Sequence, residues 1–182
     1  MVGVGYLGRF HAQKYAAIDS CELVGVVDAR VEAREKVASE LSTQGFADYH
    51  ELIGRVDAVS VATTTPAHFA IAKEFLAAGV HVLVEKPITE TPAQARELIE
   101  LAKARRCVLQ VGHLERFNPT ILAAEPHLTR PNFIECHRLA PFKERGTDVN
   151  VVLDLMIHDI DIVQTIVGAP IASIDAMPWP VE

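Results

Sequence analysis

Five short, continuously apolar runs alternate with helix-like segments over the first 112 residues. The runs lie in "VGVG", "CELVGVVD", "VDAVSVATT", "VHVLVEKP" and "CVLQVGH". Helix signals stand between them, such as Gly79 at a helix end and Thr91 with Pro92 at a helix start. Strands that are apolar on both faces are typical of parallel sheets covered by helices on both sides. The pattern therefore predicts an α/β domain with a doubly wound parallel sheet over residues 1–112.

The rhythm changes after Gly112. We predict a short helix in "NPTILAAEPHL", a strand in "PNFIECHRLAP", a polar loop in "FKERGTDVN", a helix in "VVLDLMIHDIDIVQTIVG" and another strand in "IASIDAM". This order predicts that residues 113–182 begin an α+β domain with an incomplete mixed sheet, for substrate binding and oligomerisation. Only two residues precede Gly3, and one predicted strand follows the last helix. We therefore expect the chain to be a fragment of a longer protein.

Composition argues against several classes of function. The chain has 17 Lys and Arg against 24 Asp and Glu, a net charge of −7, which disfavours a broad nucleic-acid-binding surface. No apolar run reaches the roughly 18 residues of a membrane span, so we expect a soluble, cytoplasmic protein without membrane contacts. The cysteines, Cys21, Cys107 and Cys136, lack metal or redox spacing. We expect them to be small buried hydrophobic residues.

The stretch "GVGYLG" places Gly3, Gly5 and Gly8 in a GxGxxG spacing. Glycines also occur in ordinary turns, so the spacing alone is weak evidence. Here it follows a strand-like run and opens a helix, as in the dinucleotide-binding motif of a Rossmann-type fold. Gly3 would permit the tight turn, Gly5 the close approach of a pyrophosphate, and Gly8 close helix packing.

The second predicted strand ends at Asp28, 20 positions beyond Gly8. An acidic residue at this place can accept both ribose hydroxyls of NAD, and its charge would repel the 2′-phosphate of NADP. Arg30 is close enough in sequence to leave NADP open as the less favoured cofactor. The pyrophosphate would lie on the first helical turn, beside Tyr6 and Leu7.

The stretch "TTTPAH" ends the third predicted strand and opens a helix. Because the carboxyl ends of parallel strands line the ligand crevice, we predict that Thr63, Thr64 and His68 contact the cofactor. For either threonine, capping a helix that starts at Pro66 is an equally good interpretation.

The stretch "VHVLVEKPIT" places Glu85 and Lys86 at the end of a buried strand, directly before Pro87. A charge pair at an exposed strand end is unremarkable, and proline simply ends the ladder. In a parallel sheet, however, that strand end faces the ligand crevice.

In "DLMIHDID", Asp154, His158 and Asp161 are spaced i, i+4, i+7, which places them on one stripe of an otherwise apolar helix. Such a helix is expected to be buried, and a buried histidine needs partners. One interpretation is a satisfied core histidine with aspartates that cap the helix. The other is a general base supported by the carboxylate of Asp154, one turn away. No third ligand completes a metal site, so we predict no metal.

The glycine loop, Asp28, "EKP" and "DLMIHDID" together resemble the Gfo/Idh/MocA family of NAD(P)-dependent sugar and inositol oxidoreductases. The resemblance implies that Glu85 and Lys86 lie at the cofactor, with Lys86 beside the nicotinamide and the substrate hydroxyl, and that the following proline is often cis. It also implies that His158 is the catalytic acid/base and that Asp154 supports it. The glycine pair that usually precedes the histidine motif is replaced here by "VNVV".

Within that family, "GHLERFNP" followed by "DLMIHDIDI" resembles the branch that oxidises the 3-hydroxyl of UDP-N-acetylglucosamine. The resemblance places four residues on the substrate side of the crevice, namely His113, Arg116, Asn118 and Asp161. A surface ion pair between Arg116 and Glu115 or Asp148 is an alternative interpretation.

The resemblance as a whole implies hydride transfer between NAD and a small-molecule sugar or nucleotide-sugar substrate, in a protein that forms a homo-oligomer when full length. The alternative is a non-catalytic NAD-binding or sugar-sensing protein, or an inactive fragment of such an enzyme. A lysine and histidine pair favours the enzyme, since sensing needs no acid/base chemistry. The incomplete sheet favours the fragment.

Overall fold

The computed structural model describes residues 1–139 and 150–177. The chain divides into two units, Met1–Gly112 (unit 1) and His113–Glu182 (unit 2). Apart from Asn150, the predicted polar loop "FKERGTDVN" lies outside the described residues. Within the described part of the chain, no helix is long and apolar enough to cross a membrane.

Unit 1 alternates strands with helices. The helices are α1 (Tyr6–Ala16), α2 (Val31–Glu40), α3 (Thr65–Ala77) and α4 (Pro92–Arg105). The strands are β1 (Gly25–Val27), β2 (Gln44–Phe46), β3 (Ala58–Val61), β4 (His81–Val84) and β5 (Leu109–Val111). A 3₁₀ turn, Tyr49–Leu52, connects β2 to β3.

The sheet is parallel and is joined at its centre by the first residues of the chain. β1 pairs with β2, and β3 with β4 and then β5. Val2 forms parallel bridges to both Val27 of β1 and Val61 of β3. The strand order is therefore β2-β1-Val2-β3-β4-β5, which confirms the predicted Rossmann-type doubly wound sheet. The order reverses beside Val2, so the ligand crevice is expected directly above the glycine loop.

Apolar clusters cover both faces of this sheet. One joins α3 and α4 to the strands, with Phe75, Leu76 and Leu98 fully buried. The other joins α1 and α2 to the sheet and is smaller. Burial on both faces explains why the strand runs are continuously apolar.

Two features of the chain, one strand and the burial of the cysteines, differ from the prediction. The sequence analysis missed β2, because in "QGF" only Phe46 is buried and no apolar run marks the strand. The expected burial of the cysteines was wrong, since Cys21 and Cys136 are exposed and Cys107 is half-buried. Cys21 and Cys107 precede the strands that follow them instead of starting them.

Unit 2 is helical where it is described. It contains 3₁₀ turns at Leu114–Phe117 and Glu125–His127, helix α5 (Pro119–Ala124), a π-helical turn at Val152–Met156, and helix α6 (Ile157–Val167). The two predicted helices are confirmed, and α6 ends at Gly168 in the left-handed conformation with φ 62°.

The predicted strands of unit 2 are wrong as far as they are described. Residues 131–139 and 171–177 form no strand there, and side chains such as Phe133 and Ile174 are 82% and 80% exposed. A strand needs a neighbouring backbone with which to exchange hydrogen bonds, and neither segment has one among the described residues. The prediction that α6 is buried is also wrong, since Asp161 is the only residue of the helix that is buried within the described chain.

Candidate cofactor and active site

The glycine loop is shaped by the backbone that surrounds it. Gly3 has φ +80°, and a Cβ atom there would lie 2.7 Å from the carbonyl oxygen of Ala62. A Cβ atom on Gly8, in the first turn of α1, would overlap the carbonyl oxygen of Gly3. Both positions require glycine for the turn and for helix packing.

Gly5 is different, because among residues 1–139 and 150–177 no neighbouring atom requires a glycine there. Its φ is −65° and its ψ is −157°, which any residue can adopt. A Cβ atom would have only Arg30 Nη2 as its nearest neighbour, at an ordinary 3.5 Å. The lack of a side chain here leaves the start of α1 open, as the close approach of a pyrophosphate would need.

The first turn of α1 faces solvent, and Tyr6 and Leu7 are exposed. Gly5 stands at the N-cap and supplies no side-chain acceptor for the first N–H groups of the helix. An N-terminal turn of this kind suits a phosphate anion.

Asp28 follows β1 at the same edge of the sheet. Its Oδ2 accepts a hydrogen bond from Val4 N at 3.0 Å, and its Oδ1 accepts one from Arg30 N at 2.9 Å. Partial burial raises the pKa of this carboxyl, but hydrogen bonds from Arg30 and Val4 outweigh burial and hold the pKa below its usual value. The guanidinium of Arg30 lies 3.3 Å from the carboxylate, so a cation is present at the position that would meet a 2′-phosphate.

Thr63, Thr64 and His68 follow β3 at this edge. Thr64 is the N-cap of α3 but makes no side-chain cap, and Thr63 Oγ1 donates to Thr64 O at 3.4 Å. Helix capping is therefore not what either hydroxyl does. His68 is only 1% exposed, and its two ring nitrogens face the carbonyl oxygens of Pro87 and Thr63 at 2.9 and 3.1 Å. An effect of this ring on a cofactor would be indirect, through the positions of the loops that contain Pro87 and Thr63.

Glu85 and Lys86 follow β4. Glu85 is 5% exposed, with Oε1 3.0 Å from Nε2 of His11, and its Oε2 accepts from Lys86 N at 3.2 Å. Lys86 is half-buried, and the Lys86-Pro87 peptide is cis, as the resemblance implies. The sequence analysis missed His11, although its position one turn after Gly8 places it on the face of α1 that packs on the sheet.

Unit 2 contains a second polar cluster, around Asp161. Arg116 donates to both carboxylate oxygens of Asp161, at 2.7 and 2.5 Å, and His113 Nδ1 lies 3.9 Å from Oδ1. The hydrogen bonds from Arg116 hold the pKa of Asp161 below its usual range, against a weaker effect of burial. The pairing of Arg116 across 45 residues differs from the sequence-local alternative with Glu115, and the other alternative partner, Asp148, lies outside the described residues.

Asn118 starts helix α5. Its Oδ1 accepts from Thr120 N at 2.9 Å, and its Nδ2 donates to Glu115 Oε2 at 3.1 Å. Both ends of the amide therefore have partners within unit 2, and the observed role of the side chain is an N-cap.

The stripe predicted on one α-helix is divided between two helix types. Asp154 lies in the π-helical turn, whereas His158 and Asp161 lie in α6. The predicted helix is therefore α-helical only from Ile157, since Val152–Met156 forms the wider π-helical turn. Asp159, which the sequence analysis did not single out, accepts two hydrogen bonds from Arg138 at 2.8 and 2.7 Å. Across residues 1–139 and 150–177, no cluster of three His, Cys, Asp or Glu could hold a metal ion.

Comparison with known proteins identifies the class of this fold and site. The family model of the Gfo/Idh/MocA oxidoreductases, described as having an NAD-binding Rossmann fold, matches residues 1–113. The chain therefore belongs to this family.

Two relatives illustrate the range of activities in the family. UDP-N-acetylglucosamine 3-dehydrogenase of Acidithiobacillus ferrooxidans is 46% identical over 170 residues, which cover 93% of this chain and 54% of the relative. An inositol 2-dehydrogenase/D-chiro-inositol 3-dehydrogenase of Shouchella clausii is 31% identical and covers 89% of this chain and 50% of the relative. The chain thus spans about half the length of the curated relatives it matches.

Solved structures agree with the fold. The structure of the Acidithiobacillus enzyme matches with a TM-score of 0.86 over 92% of this chain and 55% of that chain. GenD2 from gentamicin A biosynthesis, solved in complex with NAD, matches with a TM-score of 0.81 at 25% identity, over 93% of this chain and 53% of that chain.

Proposed function

We propose that the chain carries the cofactor-binding part and the catalytic residues of an NAD-dependent dehydrogenase that acts on a hydroxyl-bearing carbon of a sugar or nucleotide sugar. The observation that supports the cofactor part is Gly5, whose lack of a side chain is not required by any neighbouring atom in the described part of the chain. The 46% identical relative favours the 3-hydroxyl of UDP-N-acetylglucosamine as the substrate group.

The proposed chemistry assigns one role to each catalytic residue. NAD, when bound, accepts the hydride. His158 takes the proton from the sugar hydroxyl, and Asp154 supports its imidazolium form. Lys86 holds the substrate oxygen and stabilises the negative charge that develops on it.

Fluorescence of NADH tests this proposal directly. The purified chain is mixed with NAD and UDP-N-acetylglucosamine, and myo-inositol takes the place of the nucleotide sugar in a parallel sample. We expect NADH to appear with the nucleotide sugar and much less with inositol. NAD binding without reduction of NAD would favour the alternative, an inactive fragment or a sensor. Two observations favour that alternative. Apolar segments of unit 2 are exposed, and the chain spans about half the length of its relatives.

NAD is proposed over NADP because the carboxylate of Asp28 is ionised and fixed at the end of β1. We expect Asp28→Ser to weaken NAD binding by about 10- to 100-fold, since hydrogen bonds to a charged group each contribute roughly 1.5 to 3 kcal/mol. NADP binding should strengthen, because the substitution removes the repulsive charge and leaves the guanidinium of Arg30 beside the site. Titration of the fluorescence of NADH and NADPH measures both dissociation constants. Asp57→Asn, on an exposed aspartate that precedes β3, is the control and should change neither.

Homo-oligomerisation of the full-length protein and a cytoplasmic location complete the proposal. The family resemblance of the sequence supports both, and exposed apolar side chains of unit 2 such as Leu139 and Met177 are compatible with an interface.

A further inference from the structure

Two buried histidines of unit 1 face the residues on either side of Lys86. His11 comes from α1 and contacts Glu85, whereas His68 comes from α3 and contacts Pro87. Neither ring has a role in the proposed hydride transfer.

The first contact joins α1 to the end of β4. The side chains of His11 and Glu85 are 9% and 6% exposed, and His11 Nε2 lies 3.0 Å from Glu85 Oε1. The contact has the distance of an ion pair without the alignment of a hydrogen bond. His11 Nδ1 lies 3.1 Å from the hydroxyl of Ser60, which fixes the ring against β3. A buried carboxylate is costly without a partner, so Glu85 depends on this ring.

Two further contacts hold the Glu85 carboxylate in place. Its Oε2 accepts from the backbone N–H of Lys86 at 3.2 Å. Gly112, after β5, packs against it so closely that a Cβ atom there would lie 2.7 Å from Oε1. The carboxylate is thereby confined between α1, β5 and the backbone of the catalytic lysine.

The second histidine acts on the other side of Lys86. His68 lies with Nδ1 2.9 Å from Pro87 O and Nε2 3.1 Å from Thr63 O. Whichever ring nitrogen carries a proton donates it to a backbone carbonyl in one of these two loops. The ring thus ties the segment after β4 to the segment after β3.

A lysine side chain is long and flexible, so its reach is set mainly by where its backbone is fixed. We propose that His11 and His68 are positioning residues for Lys86, which hold Glu85 and Pro87 in place so that the amine is presented at one point of the crevice. The catalytic part of this inference rests on the proposed function, whereas the structural part does not.

The test combines variants of each contact with two independent readouts. His11→Gln, Glu85→Gln and the double variant probe the first contact, and His68→Gln and His68→Leu probe the second. His81→Gln is the matched control, since it changes a histidine at the opposite end of the same strand, with an exposed side chain. Amide hydrogen exchange of the peptide 81–90 is compared with that of α4, and kcat and KM are measured with UDP-N-acetylglucosamine and NAD.

We expect His11→Gln to speed exchange in peptide 81–90 by about tenfold or more, with α4 unchanged. We expect kcat to fall by roughly 10- to 100-fold, as small displacements of catalytic groups do, with KM for NAD within about threefold. The double variant should be no worse than the worse single variant, because the two side chains act as a unit. His68→Gln, which keeps a donor, should retain more activity than His68→Leu.

Several results would overturn the inference. Amide exchange that is unchanged, or uniformly faster across unit 1, is one such result. Additive losses of kcat in the double variant are another, and a normal kcat in each histidine variant is a third. If the unaltered chain does not reduce NAD, the proposed function fails, and the exchange measurement alone then decides the positioning role.

Discussion

Lys86→Ala and His158→Ala are each expected to lower kcat by about 10²- to 10⁴-fold while NAD binding changes by less than about threefold. Positioned proton transfer and stabilisation of a developing oxyanion both contribute in this range. Neither role bears on the ground-state affinity for the cofactor, which we expect to depend on the glycine loop and Asp28. Turnover is followed by NADH fluorescence, and cofactor affinity by a separate titration.

The controls match each substitution in residue type. Lys103→Ala removes an exposed lysine of α4 that pairs with Glu100 on the surface, and His127→Ala removes an exposed histidine of unit 2. Both should retain normal turnover. Normal turnover in Lys86→Ala and His158→Ala as well would refute the catalytic assignment, and a loss of NAD binding in either would indicate a structural role instead.

The second large effect is expected in the glycine loop. Replacing Gly8 by alanine should lower stability, whereas replacing Gly5 by alanine should weaken cofactor binding. Gly8→Ala should lower the melting temperature by roughly 2 to 12 °C. Its methyl group would overlap the carbonyl oxygen of Gly3, and overpacking costs about 1 to 3 kcal/mol, each worth about 2 to 4 °C in a chain of this size. Backbone on both sides of the contact leaves little room to relax.

Gly5→Ala should leave the melting temperature of the cofactor-free chain within about 2 °C, because its backbone is unstrained and its nearest neighbour is 3.5 Å away. NAD affinity should nevertheless fall by about tenfold or more, which corresponds to roughly 1.4 kcal/mol. Calorimetry and titration of the same two proteins measure both quantities. An unchanged affinity in Gly5→Ala would remove the main support for the cofactor site.

The sheet of unit 1 could be predicted because its signals are local. Each strand except β2 carries its own apolar run, and the roles of Gly3 and Gly8 follow from the spacing of the loop. β2 was missed because only Phe46 of its three residues is buried. That strand is recognised by its parallel pairing with β1, and this pairing cannot be read from the sequence.

Unit 2 was predicted less well because its interactions join distant residues. The pairing of Arg116 with Asp161 spans 45 residues, and that of Arg138 with Asp159 spans 21. The strands predicted in "PNFIECHRLAP" and "IASIDAM" have suitable β-branched and aromatic residues, but a strand also needs a partner. His11 was missed for a similar reason, since its partner Glu85 follows a strand that comes much later in the chain.

The bridging position of Val2 has a thermodynamic consequence for the cofactor. The two halves of the sheet, β1-β2 and β3-β4-β5, are joined by a few backbone hydrogen bonds from Val2 and its neighbours, such as Val2 N to Ser60 O and Gly3 N to Val27 O, both 2.8 Å. Val2 is only 3% exposed, so parting the two halves at this junction would expose core side chains. A dinucleotide bound over the glycine loop would contact both halves, so cofactor concentration would set how often the domain opens.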